Sequence, residues 1–509
     1  MPVTPSYPGI YIEELPSNTH TITAAPTSIA VFVGYTHPFK TKKSNKAKAV
    51  QIFNFTEYEN EFGGLYRSGL VRADVAHAVN QFFLNGGSVA YIVGLLSDTI
   101  KAPIQNIGGI NFTPTELTDQ ILMKVTISNV KSAGVPSPSG DIADVVITYG
   151  SRSETYRGVS IDKSSDDYVE KRIGTDAKPV SSLVKVSAPG SGYTFTEAAA
   201  TTLPSPSGAT PLNNSDFTDV FKPDSELDKV PIFNLLVIPG IADNGIWSAA
   251  LAFCERKQAF VILDPPEQAI AAPDSSITPS RWIADLMEKM PKSQNGAIYF
   301  PYLLSNDPLT GSTIPQPPSG FVAGIYARTD LNRGVWKAPA GLETTVLNTT
   351  GVVESGRMTD PRQGTLNLKG INCLRSFPGI GTVVYGARTL VSENTALEQW
   401  KYVPVRRMTL FIEQTLYRNL GWVVFEPNDE PLWAAIRTSI EGFMLSLFNQ
   451  GAFQGSTPSQ AFQVKCDKST TTQTDINNGV VNIIVAFAPL KPAEFVIIKI
   501  AQLAGQVQA

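Results

Sequence analysis

Three stretches near the start of the chain decide the fold class: SIAVFVGY (Ser28–Tyr35), LVRADVAHAVNQFFLN (Leu70–Asn85) and SVAYIVG (Ser88–Gly94). The first is an apolar run of strand length, rich in β-branched and aromatic residues, and reads as a buried strand. In the second, Val71, Val75, Val79 and Phe82 recur at helical spacing, and Asn85-Gly86-Gly87 stops the helix. The third is a second buried strand. Strand, helix, strand is the opening of a layered α/β domain.

Working outward, the composition changes between about Ser97 and Asp228 to Ser, Thr, Pro, Gly and Asp, with short alternating strands such as ILMKVTISNV (Ile121–Val130) and ADVVITYG (Ala143–Gly150). This predicts an inserted β-rich domain. The α/β pattern then resumes with IFNLLVIPG (Ile232–Gly240), a helix over Ile246–Lys257, AFVILDPP (Ala259–Pro266), a helix over Ser280–Met290 and AIYFPYLL (Ala297–Leu304). Beyond Leu390 come two amphipathic helices. Met408, Phe411, Ile412 and Leu416 stripe the first, about Arg406–Leu420, which closes at Gly421. The second starts at Asn428-Asp429-Glu430-Pro431 and carries Leu432, Ile436, Ile440, Phe443, Met444 and Leu447. Two strands, VVNIIVAFA (Val480–Ala488) and EFVIIKI (Glu494–Ile500), follow. The expected organisation is an extended arm and linker at 1–27, a core domain in two parts at 28–96 and 229–390, the inserted domain at 97–228, a C-terminal α/β domain at 391–488 and a C-terminal arm at 489–509.

Composition excludes several classes. With 509 residues, 42% apolar residues and a formal charge of -4, the chain is long enough for several cores and too evenly charged for phosphate binding to dominate. The cluster Lys40, Lys42, Lys43, Lys46 and Lys48 lacks interleaved aromatics and reads as a solvated loop. Cys254, Cys373 and Cys466 have no metal-ligand or redox spacing and read as buried thiols. The sequence MPVTPSYPGIYIEE has neither a basic n-region nor an apolar core, and no apolar run reaches the roughly 18 residues of a membrane span. Synthesis and folding in the cytoplasm without membrane insertion is the expectation. His20, His37 and His77 have no second ligand at metal spacing, Pro189-Gly190-Ser191-Gly192-Tyr193 lacks the ending of a phosphate loop, and pairs such as Asp166-Asp167 belong to no constellation of nucleophile, base and orienting group. No enzyme, cofactor or metal is expected.

The segment PPSGFVAGIYARTDLNRGVWKAPAG (Pro317–Gly341) resembles the tail sheath proteins of contractile phages and of contractile injection systems. The resemblance extends to PGIYIEE (Pro8–Glu14), NGGSVAYIVG (Asn85–Gly94), YRGVSIDKSSDDYVEKRIG (Tyr156–Gly174), LNLKGINCLRSFPGIGTVVYGARTL (Leu366–Leu390) and WKYVPVRRMTLFIEQTL (Trp400–Leu416), in the same order. Leu368 stands where the family often has proline, and Tyr385 where tryptophan is common.

The resemblance implies a subunit of stacked six-membered rings around an inner tube, with an outward-facing inserted domain and a C-terminal domain completed by strands exchanged between neighbours. The implied partners are further copies of the chain, the inner tube protein, baseplate and tail terminator or cap proteins, and sheath paralogues; nucleic acid is not among them. The particle would be a phage tail or a phage-tail-like particle, with release from the cell one option. The residues supply their own argument for exchange. Ile10, Tyr11 and Ile12 at one end, and Phe495, Val496, Ile497 and Ile498 at the other, form strand-like pieces without a hairpin partner, so their backbone groups need an edge elsewhere. Each added bond is worth about 0.5–1.5 kcal/mol. The linker Pro16–Thr27 is the expected hinge. Asn428, Asp429, Glu430 and Arg437, at the start of the last helix, are the expected tube contact, with helix capping as the plain alternative for Asn428 and Asp429. Another tail component, or a β-rich binding module, is the competing reading.

Overall fold

The computed structural model describes residues 20–71, 75–96, 99–131, 141–189, 193–208, 213–266, 290–353, 358–391 and 395–499. The expected strand at Gly9–Leu15 and nearly all of the expected helix at Ser280–Met290 lie outside them. The chain forms a mixed α/β fold of two compact units, Pro26–Arg406 and Met1–Ala25 with Arg407–Ala509.

The larger unit is built on an eight-stranded sheet. Its order is Gly381–Val384, Ile371–Phe377, Gly296–Phe300, Phe260–Leu263, Leu235–Val237, Ala30–Tyr35, Ala90–Leu95, Ala49–Ile52. The six inner strands run parallel and the two outer ones are antiparallel to their neighbours. A parallel strand is covered on both faces, which explains why Ala30–Tyr35 is buried at every residue and shows no alternation. Leu235–Val237 pairs directly with Ala30–Phe32, so the strands between Leu95 and Leu235 lie outside this sheet, which closes behind them.

Those intervening residues make two small antiparallel sheets. One joins Gln105–Ile107, Ile110–Pro114 and Val184–Ser187, and the other Ala198–Thr202, Met123–Lys131, Ile142–Tyr149 and Arg152–Ser160. Alternation governs here, as in Ile142–Tyr149, where every second residue is buried. Phe112, Val125, Ile127, Val145, Ile147 and Val186 share a core separate from that of the large sheet.

The Pro317–Gly341 string owes its composition to two close contacts. Ser319 opens the Ser319–Arg333 helix, and its N–H and Oγ–H donate to Asp264 at 2.8 and 2.6 Å. Gly240 N–H donates to the same carboxylate at 2.8 Å. Asp264 ends its strand fully buried, and burial, outweighing these bonds, pushes its pKa up from 3.8 to about 6. At the next residue, a Cβ on Gly320 would lie 2.5 Å from the Ala78 carbonyl oxygen, and one turn on a Cβ on Gly324 would lie 2.6 Å from that of Phe82. Glycines four residues apart therefore let this helix seat its backbone against the Ala76–Leu84 helix.

In the smaller unit the Glu430–Asn449 helix buries Leu432, Trp433, Ile436, Ile440, Phe443, Met444 and Leu447. A two-stranded antiparallel sheet pairs Phe462–Lys465 with Ile484–Phe487, with Phe453 beside both Phe462 and Phe487. Of the strand expected at Val480–Ala488, only Ile484–Phe487 forms.

Gly320→Ala is expected to cost about 1–3 kcal/mol, the usual cost of overpacking, measured by urea denaturation of the subunit. Asp264 binds a proton more tightly folded than unfolded, so its contribution to stability falls as pH rises from about 4 to about 6. Asp264→Asn should lack that component, which a denaturation series across this pH range would detect.

Candidate functional site

The titratable side chains converge most tightly at the root of the inserted domain. Glu116, 1% exposed, accepts from His37 Nε2 at 2.9 Å and from Lys40 and Arg152. His37 Nδ1 accepts the Phe39 N–H at 3.2 Å, so the proton sits on Nε2 and the ring is neutral. Burial lowers the His37 pKa, in keeping with that tautomer. Burial alone would raise Glu116, but the His37 hydrogen bond and the flanking cations hold it at about 2. The cluster is an ion-pair joint. His37 and Lys40 follow the Ala30–Tyr35 strand, whereas Glu116 and Arg152 come from the inserted domain, and Tyr149 Oη–H, donating to the Leu117 carbonyl at 2.7 Å, stiffens the same corner. No spacing rule could have found partners 79 and 36 residues apart. Among the described residues, no group of three or more His, Cys, Asp or Glu is placed to hold a metal ion, and no helix is long and apolar enough to cross a membrane.

The expected C-terminal arm and the sheet before it present a different chemistry, that of backbone groups and edges. Ile10, Tyr11 and Ile12 lie outside the described residues. Phe495, Val496, Ile497 and Ile498 form no strand within the subunit and are 71, 80, 82 and 78% exposed. Their side chains would alternate faces if paired, and none is covered by its own chain. Among the described residues the Ile484–Phe487 strand pairs only with Phe462–Lys465, and Ile484 is 52% exposed.

The described part of the expected hinge is bonded within the subunit. Thr23 N–H donates to Asn419 Oδ1 at 3.0 Å, Asn419 Nδ2 donates back to the Thr23 carbonyl at 2.8 Å, and Ala25 N–H donates to Thr415 Oγ1 at 3.1 Å. The His20 ring stacks on Trp422 at 3.9 Å. On the other side of the Ala25–Pro26 bond, Asn234 Nδ2 donates to the Pro26 carbonyl at 2.8 Å and its Oδ1 accepts the Ile29 N–H at 3.0 Å. Residues 20–26 are thus fastened, because side-chain amides satisfy backbone groups that no sheet takes up. Residues 16–19 lie outside the described ones.

The four expected tube-contact residues cluster at the start of the Glu430–Asn449 helix, each with a partner inside the subunit. Asp429 caps the helix by accepting the Leu432 N–H at 3.2 Å. Asn428 does not cap. It accepts the Trp433 Nε1–H at 2.8 Å and donates to the Val480 carbonyl at 3.0 Å. Arg437 bonds Glu430 at 3.0 Å and the Cys466 carbonyl. Asp429 and Glu430 remain exposed, and the helix face away from the core continues through Thr438, Glu441 and Leu445.

The sequence and fold are similar to those of known proteins. Residues 227–390 match the family model of the phage tail sheath protein central domain, and residues 395–502 that of the phage tail sheath C-terminal domain. A putative prophage major tail sheath protein of Pseudomonas aeruginosa (strain UCBPP-PA14) is 26% identical over 267 residues, covering 51% of this chain and 62% of that protein. The tail sheath protein of Vibrio phage KVP40 is 25% identical over 178 residues, 35% of this chain and 25% of its own length. The chain therefore aligns with a quarter to about three fifths of these curated relatives. The fold is similar to that of an extracellular contractile injection system's PVC sheath complex in the contracted state, with a TM-score of 0.61, 23% identity and 98% coverage of both chains. It is also similar to the anti-feeding prophage helical sheath in the contracted state, with a TM-score of 0.59, 23% identity and coverage of 98% of this chain and 100% of that one.

Glu116→Gln should destabilise the larger unit by about 3 kcal/mol, the low end for a broken buried pair, because Lys40 and Arg152 reach solvent. The wild-type carboxylate contributes stability above its ordinary value of 4.5, and that contribution is lost as pH falls towards about 2. Acid titration of both proteins, followed by near-ultraviolet dichroism, should show a shallower loss in the variant.

Proposed function

Because this chain belongs to the phage tail sheath family, we propose that it is the structural and mechanical subunit of a contractile sheath, stacked as six-membered rings around an inner tube and joined by exchanged arms. The observation that carries this reading is where the chain leaves backbone edges open. Both edges of the eight-stranded sheet are guarded. At one end the edge strand Ala49–Ile52 is four residues long, carries Gln51 and follows Lys48. At the other, Val346 N–H donates to the Thr382 carbonyl at 2.7 Å and Gly341 N–H to that of Val384 at 2.9 Å, which covers Gly381–Val384. The smaller unit, by contrast, has a sheet of only two strands and an exposed apolar segment, Phe495–Ile498.

A two-stranded sheet is marginal in water and gains from a third and fourth strand. In this reading the Ile10–Ile12 and Phe495–Ile498 segments of neighbouring subunits add to the Phe462–Lys465 and Ile484–Phe487 pair, each bond contributing about 0.5–1.5 kcal/mol beyond burial of the apolar side chains. Subunits so linked can rotate and move outward without the polymer coming apart. Firing needs no nucleotide. It is driven by interfaces more favourable in the contracted than in the extended state, the latter being held by the tube and baseplate. The tube contact is assigned to the start of the Glu430–Asn449 helix, where Asp429 and Glu430 face solvent and Asn428 and Arg437 hold the surface in shape. The particle is a phage tail or a phage-tail-like injection particle, with baseplate and cap proteins at its ends.

Negative-stain electron microscopy should show short wide hollow cylinders when the protein is expressed alone, and long tube-filled ones with the neighbouring tail proteins. Monodisperse monomers in both preparations would return the reading to a binding module. Deletion of residues 1–17 should leave a folded subunit that makes no ordered sheath; contractile particles of normal length from this variant would refute arm exchange. At the tube contact, Glu430→Arg should reduce sheath length and yield on tubes. The double variant Glu430→Arg/Arg437→Glu keeps the internal pair, so full recovery there would show that the pair, and not a tube contact, was lost.

A further inference from the structure

The segment just before the larger unit is held in a way that sets where the N-terminal arm departs. Three contacts, His20 with Trp422, Thr23 with Asn419 and Ala25 with Thr415, order the segment antiparallel to the helix Val403–Asn419 and the turn after it. Asn419 is the central element. One amide takes the Thr23 N–H and returns a hydrogen to the Thr23 carbonyl, and a further bond from Nδ2 to the Thr415 carbonyl at 2.8 Å holds that amide in plane. A side chain with both a donor and an acceptor in one plane is needed for this two-way grip. Thr415 is fully buried and Ala25 nearly so, so the second bond is shielded from water.

We propose that Asn419 and Thr415 are positioning residues that clamp His20–Ala25 onto the subunit's own C-terminal unit, so that the N-terminal arm leaves from that unit in one direction and one register. The inference rests on the arm-exchange reading and adds a consequence to it. The link between neighbours then runs from one C-terminal unit to another, and the larger unit, entered at Pro26, carries none of that load. A free linker over residues 16–27 would let an arm reach several neighbours with different registers. A clamped root restricts it to one. Precise ring stacking follows from the restriction, since the effective concentration of a tethered strand depends on whether its linker matches the span to the acceptor.

The test uses the full-length double variant Asn419→Ala/Thr415→Val. Alanine suits the end of a helix and valine matches the buried volume of threonine, so the subunit should melt within a few degrees of the wild type. Amide hydrogen exchange at Thr23 and Ala25 should accelerate at least tenfold, and assembly should give short or disordered polymers in place of long cylinders. Unchanged exchange at those two amides would overturn the clamp. So would long ordered cylinders from the double variant when deletion of residues 1–17 abolishes them, an outcome that leaves arm exchange standing. Ordered cylinders from both variants would overturn arm exchange and the clamp together.

Discussion

The larger unit depends on one long-range pairing, that of Ala30–Phe32 with Leu235–Val237. It joins two halves of a sheet across a separation of 205 residues, and a closure of that length costs more chain entropy than any local turn. Asn234 is placed at the seam to hold it. Its backbone N–H donates to the Ile29 carbonyl, while its side chain takes the Ile29 N–H and reaches the Pro26 carbonyl. Once the seam is set, the inserted domain is free to build its own core, and the helices that cover the sheet have a surface to meet.

Two buried carboxylates show how differently burial is managed in the same unit. Glu116 is surrounded by two cations and a donating imidazole, and stays ionised far below the ordinary range. Asp264 has only neutral donors, two from Ser319 and one from Gly240, and is pushed up towards neutrality. The first ties the inserted domain to the sheet, and the second seats the helix whose glycines meet the Ala76–Leu84 helix.

The edges of the eight-stranded sheet and those of the two-stranded sheet are treated differently. A parallel sheet with unguarded edges would pair indiscriminately, and here short length, a lysine-rich flank and a covering segment prevent it. The two-stranded sheet of the smaller unit has no such cover at Ile484–Phe487 among the described residues, and the apolar segment Phe495–Ile498 is left in solvent. Residues 20–25 are hydrogen-bonded and stacked against the helix and turn of that same unit.

Much of the α/β core was legible in the sequence because its strands are buried on both faces and its helix positions recur at 3.6 residues, patterns that local chemistry imposes whatever the tertiary context. The Asp429 cap, the stripe from Leu432 to Leu447 and the apolar Phe495–Ile498 segment were legible for the same reason. The boundaries were less so. The first helix starts at Ala76 and not Leu70, and the strand expected over Val480–Ala488 shrinks to four residues, since pairing partners decide where a strand ends. The motif PPSGFVAG identified the family without disclosing why it is glycine-rich, which appears only when Gly320 and Gly324 meet Ala78 and Phe82. The roles of Asn234, Glu116, Asn428 and Asn419 had no sequence signal at all. A polar side chain's partner is set by which distant backbone group is left unpaired nearby, and that is known only once the chain has folded.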